Sequence, residues 1–135
     1  MASHYKLKWY PAGIDWTLDN PSGPVGRDLA RRGNRVLKGA RLLVGKDTRR
    51  LEKSLNVSQY RSSMGQYVKV GSDAKIAPYG LMHHEGTRPH VITPDRAQYL
   101  VFRSRKTGGM VYTTSVMHPG TKPNRYLTNA LYLAL

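Results

Sequence analysis

The densest set of side chains with chemistry to offer is His83-His84-Glu85-Gly86-Thr87-Arg88-Pro89-His90, joined later by His118-Pro119-Gly120. Four imidazoles and a carboxylate are donor types that suit a transition metal. Their spacing does not. His83 and His84 are adjacent, so a regular helix points them about 100° apart. No HExxH pair sets two histidines one turn apart on a common face. The expectation is a pair of polar loops that bond neighbouring backbone or line a subunit contact, with no metal and no cofactor. Other chemistries fare no better. There is no GxSxG, P-loop or GxGxxG. The carboxylates are Asp15, Asp19, Asp28, Asp47, Glu52, Asp73, Glu85 and Asp95, and no two make a convincing acid/base pair. With no cysteine, thiol catalysis, disulfides and Cys-type zinc sites are excluded. The chain is not expected to be an enzyme.

A second set is defined by charge. Lys and Arg total 22 against 8 Asp and Glu, a net charge of +14. A chain this basic is expected to meet a polyanion or an acidic partner surface. Part of the charge is concentrated in residues 24–44, which read as the principal helix. Ser22 is the expected cap, Pro24 suits the first turn and Gly45 ends the helix. At about 100° per residue, Val25, Leu29, Val36, Leu37, Ala40, Leu43 and Val44 share one arc of roughly 120°. Arg27, Arg31, Arg35, Lys38 and Arg41 share the opposite arc, with no acid read among them. Like charges one turn apart repel by about a few tenths of a kcal/mol per pair. DNA or an acidic neighbouring subunit would relieve that. Gly26, Gly33 and Gly39 weaken the helix by about 1 kcal/mol each relative to Ala.

The elements that must position these groups fit one domain in 135 residues. Residues 1–23 read as an N-terminal arm with Trp9, Tyr10 and Trp16 as contact residues, packed on a neighbouring subunit or back on its own domain. A short strand is expected over Tyr5–Tyr10. Residues 24–135 read as a single α+β domain. After the long helix comes a helical turn over Asp47–Ser54. Strands at Leu55–Tyr60 and Gln66–Val70 form one hairpin. A short middle helix is expected within Ile76–Glu85. Ala97–Arg105, apolar on both faces at Tyr99, Leu100, Val101 and Phe102, is expected to be a central strand. Met110–Met117 is its hairpin partner, and Arg125–Leu135 is a terminal helix. The predicted sheet is antiparallel, with about four strands from two hairpins. No apolar run reaches about 18 residues, and the N-terminus lacks the long apolar stretch of a signal peptide, so no membrane span or export is expected.

From about residue 48 onward, the order of motifs resembles the tail-completion, or head–tail joining, proteins of long-tailed bacteriophages. The matching pieces are Thr48-Arg49-Arg50-Leu51-Glu52-Lys53-Ser54-Leu55, Val68-Lys69-Val70-Gly71-Ser72 and Ile76-Ala77-Pro78-Tyr79. They continue with His83-His84-Glu85-Gly86-Thr87-Arg88-Pro89-His90-Val91-Ile92, His118-Pro119-Gly120-Thr121-Lys122-Pro123-Asn124 and Tyr126-Leu127-Thr128-Asn129-Ala130-Leu131. The resemblance implies an α+β subunit of a ring, most often six-fold, set between the head connector or stopper and the tail tube or terminator. It implies a virion protein of the neck or tail, assembled in the host cytoplasm, without catalysis. The Glu85–Pro89 and His118–Gly120 loops would be structural or interfacial. The basic helix face would look onto passing DNA or an acidic neighbour. Tail terminator rings share this architecture and position and are the nearest alternative. A free-standing, non-specific nucleic-acid-binding protein is the alternative from another class.

Overall fold

The computed structural model describes residues 6–132. The fold is α+β, and all its paired strands are antiparallel. The chain divides into two compact units. One runs to Gly80 and takes in the C-terminal helix from Arg125; the other is Leu81–Asn124.

In the first unit the long helix forms as its pattern demands, over Pro24–Leu43, following a shorter helix at Pro11–Leu18; these are α2 and α1. The cap of α2 is Gly23 rather than Ser22. The helix begins at Pro24, so Gly23 immediately before it takes the cap position, and no side chain bonds the first-turn amides. A five-residue helix, α3, covers Arg50–Ser54. It leads into β1 (Leu55–Ser62), which pairs with β2 (Gly65–Ser72) from Leu55↔Ser72 to Ser62↔Gly65. The last helix of the chain, over Tyr126–Tyr132, belongs to this unit. Residues 133–135 of its expected span lie outside the described residues.

The apolar arc of α2 faces inward, with Val36, Leu37, Ala40 and Val44 buried beside Leu51, Leu55, Ala77, Tyr126 and Ala130. Val57 and Val70 of the hairpin pack against this cluster. Two glycines that cost the helix propensity stand where the hairpin and the last helix approach it. A Cβ at Gly33 would lie 2.5 Å from Val68 Cγ1, and one at Gly39 would lie 3.3 Å from Ala130 Cβ. Their lost propensity is offset by close packing.

The N-terminal segment lacks the expected strand. Residues 6–10 have no regular structure, and Tyr5 lies outside the described residues. Residues 11–18 are helical because Pro11 occupies the first turn of α1. The segment is tied back to its own unit. Arg61 pairs with Asp19 at 2.9 Å, and Gln66 Nε2 donates to Leu18 O at 2.7 Å.

The second unit begins within α4 (Gly80–Glu85). Its strands are β3 (His90–Ile92), β4 (Leu100–Arg103), β5 (Met110–Thr113) and β6 (Val116–His118). The pair β4–β5 is nested in sequence within β3–β6, giving a ribbon made of two separate two-stranded sheets. The described residues therefore carry three two-stranded sheets where one sheet of about four strands was expected. The expected strand over Met110–Met117 is split in two. Thr113 Oγ1 donates to Ser115 O at 2.9 Å, a local turn that competes with the ladder. The C-terminal helix, numbered α5 in chain order, closes the list of elements.

Candidate functional site

The second unit brings the two motif loops together. Thr87 N–H donates to Thr121 O at 3.0 Å, and Thr121 N–H donates to Thr87 O at 3.1 Å. This bridge lies in the register of the ribbon, three residues before His90 and three after its partner His118. Gly86 and Gly120 flank it with φ of +78° and +85°, where side chains are strained. A Cβ would also collide, lying 2.5 Å from Thr121 O at Gly86 and 2.3 Å from Thr87 O at Gly120. The glycines of Glu-Gly-Thr and His-Pro-Gly thus let two backbones meet.

The histidines serve the same closure. His118 Nδ1 accepts the Gly120 N–H at 3.1 Å, which places the ring proton on Nε2. His90 Nδ1 lies 2.9 Å from Arg88 O and donates to it. The two rings stand 5.1 Å apart across the strand pair. Asn124 N–H donates to His83 O at 3.1 Å. His84 is half-buried, while Glu85, Arg88 and Pro119 are exposed, as is Pro89. Among the described residues no three His, Asp or Glu side chains gather in a group fit to hold a metal. The arrangement fastens loops.

On α2, Arg27, Arg31, Arg35, Lys38 and Arg41 are all exposed, opposite the buried stripe. One carboxylate that the sequence reading left off this face belongs to it. Asp28 binds Arg31, and binds Arg32 Nε at 2.7 Å. Those hydrogen bonds, Arg31 first, hold the Asp28 carboxyl below the usual carboxylate range. The i,i+3 and i,i+4 spacing was the available signal. Arg41 also donates to Leu55 O at 3.0 Å. Arg27, Arg35 and Lys38 have no carboxylate partner among the described residues.

The largest departure from expectation is the strand at Leu100–Arg103. It pairs on one side only, and Val101 and Phe102 are exposed. The pattern called for cover on both faces, and among the described residues Leu100 alone of this strand is even half-buried. No residue from Leu81 to Asn124 is buried. Val91, Val101, Phe102, Met110, Tyr112 and Met117 are 40% to 68% exposed. Ile92, Leu100 and Val116, with Val101 and Phe102, line an open apolar depression of about 310 Å³. The sequence singles out Leu100, Val101 and Phe102 as a central strand, not as an open surface. The available signal was a doubly apolar strand in a chain of modest hydrophobic content. The arm presents a similar surface. Trp9, Tyr10 and Trp16 are exposed, and α1 has no buried residue.

No known protein family, no curated protein and no solved structure matches this chain. Among the described residues, no helix is long and apolar enough to cross a membrane.

Proposed function

We propose that the chain is a structural subunit of a bacteriophage neck. It forms a homo-oligomeric ring, six-fold by the resemblance, that completes the tail and joins it to the head connector around the DNA path. Its neighbours there are the connector or stopper and the tail terminator or tube. Its place is the virion, after assembly in the host cytoplasm. The observation that carries this reading is the ribbon of residues 81–124, where large apolar side chains are uncovered and nothing is buried. Contiguous exposed apolar surface marks an interface, and a repeated copy in a closed ring supplies cover for every subunit at once. The loops quoted for the resemblance lie at the stem of that ribbon and give it a defined base.

Imaging of purified particles tests the proposal. The expected result is a ring of this chain at the neck, with the ribbon covered by adjacent copies. Val101→Glu, an exposed position, should leave the free chain folded and abolish incorporation. Finding the chain in the capsid shell or the tail tip overturns the reading, as does normal incorporation of Val101→Glu. The basic face of α2 favours a second reading, a free-standing nucleic-acid-binding protein. That reading leaves the apolar ribbon without a purpose, and absence of the chain from purified particles would select it.

A further inference from the structure

We propose that the outward face of α2 binds the phosphate backbone of duplex DNA through Arg27, Arg31, Arg35, Lys38 and Arg41, without reading sequence. The inference goes beyond the ring and does not require it. From Arg27 to Arg41 the face runs about 21 Å, at about 1.5 Å per residue. One DNA strand offers a phosphate about every 3.4 Å of helix axis, so about six phosphates lie along a span of that length. The face cannot turn inward, since the opposite arc is filled by Val36, Leu37 and Ala40 and burying guanidinium groups unpaired is costly. A second copy of the chain is a poor source of counter-charge, because each copy carries +14.

The surface carries cations that hold phosphate and no free amide side chain to read adenine. Asn34 is the one amide side chain on α2, and its Nδ2 is spent on Ala30 O at 2.9 Å. Bidentate amide contacts to adenine are therefore not on offer. Asp28 moderates the face, because its carboxylate holds both Arg31 and Arg32.

The test uses the full free chain with two unrelated duplexes, a single-stranded DNA, a duplex RNA and polyglutamate, titrated by fluorescence anisotropy across salt. With all five cations on phosphate, the limit for this face, log affinity falls against log salt with a slope of about −4.5. That is about a 500-fold loss between 50 and 200 mM salt. The triple variant R27Q/R35Q/K38Q changes only exposed side chains and should bring the slope to about −1.8, a loss of about 12-fold over the same range. Asp28→Asn removes the opposing charge and should tighten binding and steepen the slope. Equal affinity for the two DNA duplexes, above that for the single strand and the RNA, is expected. An unchanged slope in the triple variant overturns the proposal, as do sequence-dependent binding and tightest binding to the single strand or the RNA. Preference for polyglutamate over every nucleic acid also overturns it and assigns the face to an acidic protein. Because the readout is on the free chain, its failure leaves the particle-imaging test of the ring untouched.

Discussion

Replacing Gly33 by alanine tests whether α2 really turns its apolar arc onto the hairpin, the arrangement that leaves its cations outside. Two effects oppose each other. Alanine gains about 1 kcal/mol of helix propensity over glycine. Against that, the new Cβ would lie 2.5 Å from Val68 Cγ1 and 2.9 Å from Val57 Cγ2. Both neighbours are β-branched and stiff at χ1, so they cannot swing clear. Overpacking of this kind costs about 1–3 kcal/mol. The net expectation for Gly33→Ala is a loss of about 1 kcal/mol. Gly39→Ala is the internal control. Its Cβ would meet Ala130 Cβ at 3.3 Å, a contact that yields with a small shift, so the propensity gain should nearly survive. The two variants should then differ by about 1–2 kcal/mol, from the same chemical change in the same helix. Denaturant unfolding measures this as a shift of midpoint at constant slope. Adding Val68→Ala to Gly33→Ala should cost less than the sum of the single changes, because the colliding methyl is gone. Equal stabilisation of both variants by about 1 kcal/mol would refute the reasoning. It would mean that Gly33 faces open space, and the assignment of inner and outer faces on α2 would fall with it.

Two further outcomes follow from the closure and the core. Gly120→Ala should open the loop pair, since a side chain there is strained at φ +85° and strikes Thr87 O; hydrogen exchange should show lost protection at the Thr87 and Thr121 amides, while α2 amides keep theirs. Tyr126→Phe removes a buried hydroxyl that donates to Gly80 O at 3.4 Å, a loss of about 1 kcal/mol. Burial raises the Tyr126 phenol above its ordinary value, with a hydrogen bond to Ser72 working against the rise. A raised value means this stabilisation is whole below the unfolded pKa of about 10 and is lost as pH rises through the folded one. Unfolding midpoints compared across alkaline pH should therefore converge for the wild type and Tyr126→Phe, and parallel curves would disprove the linkage.

What the sequence made legible is what one periodicity can express. The seven apolar positions of residues 24–44 repeat at helical spacing, and four of them, Val36, Leu37, Ala40 and Val44, are buried. The same arithmetic put five cations on the other side, where all are exposed. The hairpin was legible from the alternation of Leu55, Val57 and Gln59. Pairwise terms were harder to see. Asp28 belongs to the basic face only when its i+3 and i+4 partners are considered, and Gly33 and Gly39 read as faults until Val68 and Ala130 are placed against them. The closure of Thr87 on Thr121 joins residues far apart in the chain, and no local pattern announces it.

The error over Leu100–Arg103 carries the most meaning. A strand with apolar residues on both faces has two sides to cover, and within a self-sufficient domain that makes it central. Here it is paired once, and its apolar side chains face outward. The buried cluster, Val36 through Ala130, lies wholly in the first unit, so residues 81–124 add nothing to it. On the reading proposed above, the cover for this apolar surface comes from outside the chain. The exposed tryptophans of the arm make the same demand. The cations of α2 make the opposite one, for a partner that is charged and wet. A single partner of uniform character cannot meet both demands. The proposed ring of identical subunits threaded by DNA would, with apolar ribbon covered by neighbouring copies and basic helix turned to phosphate.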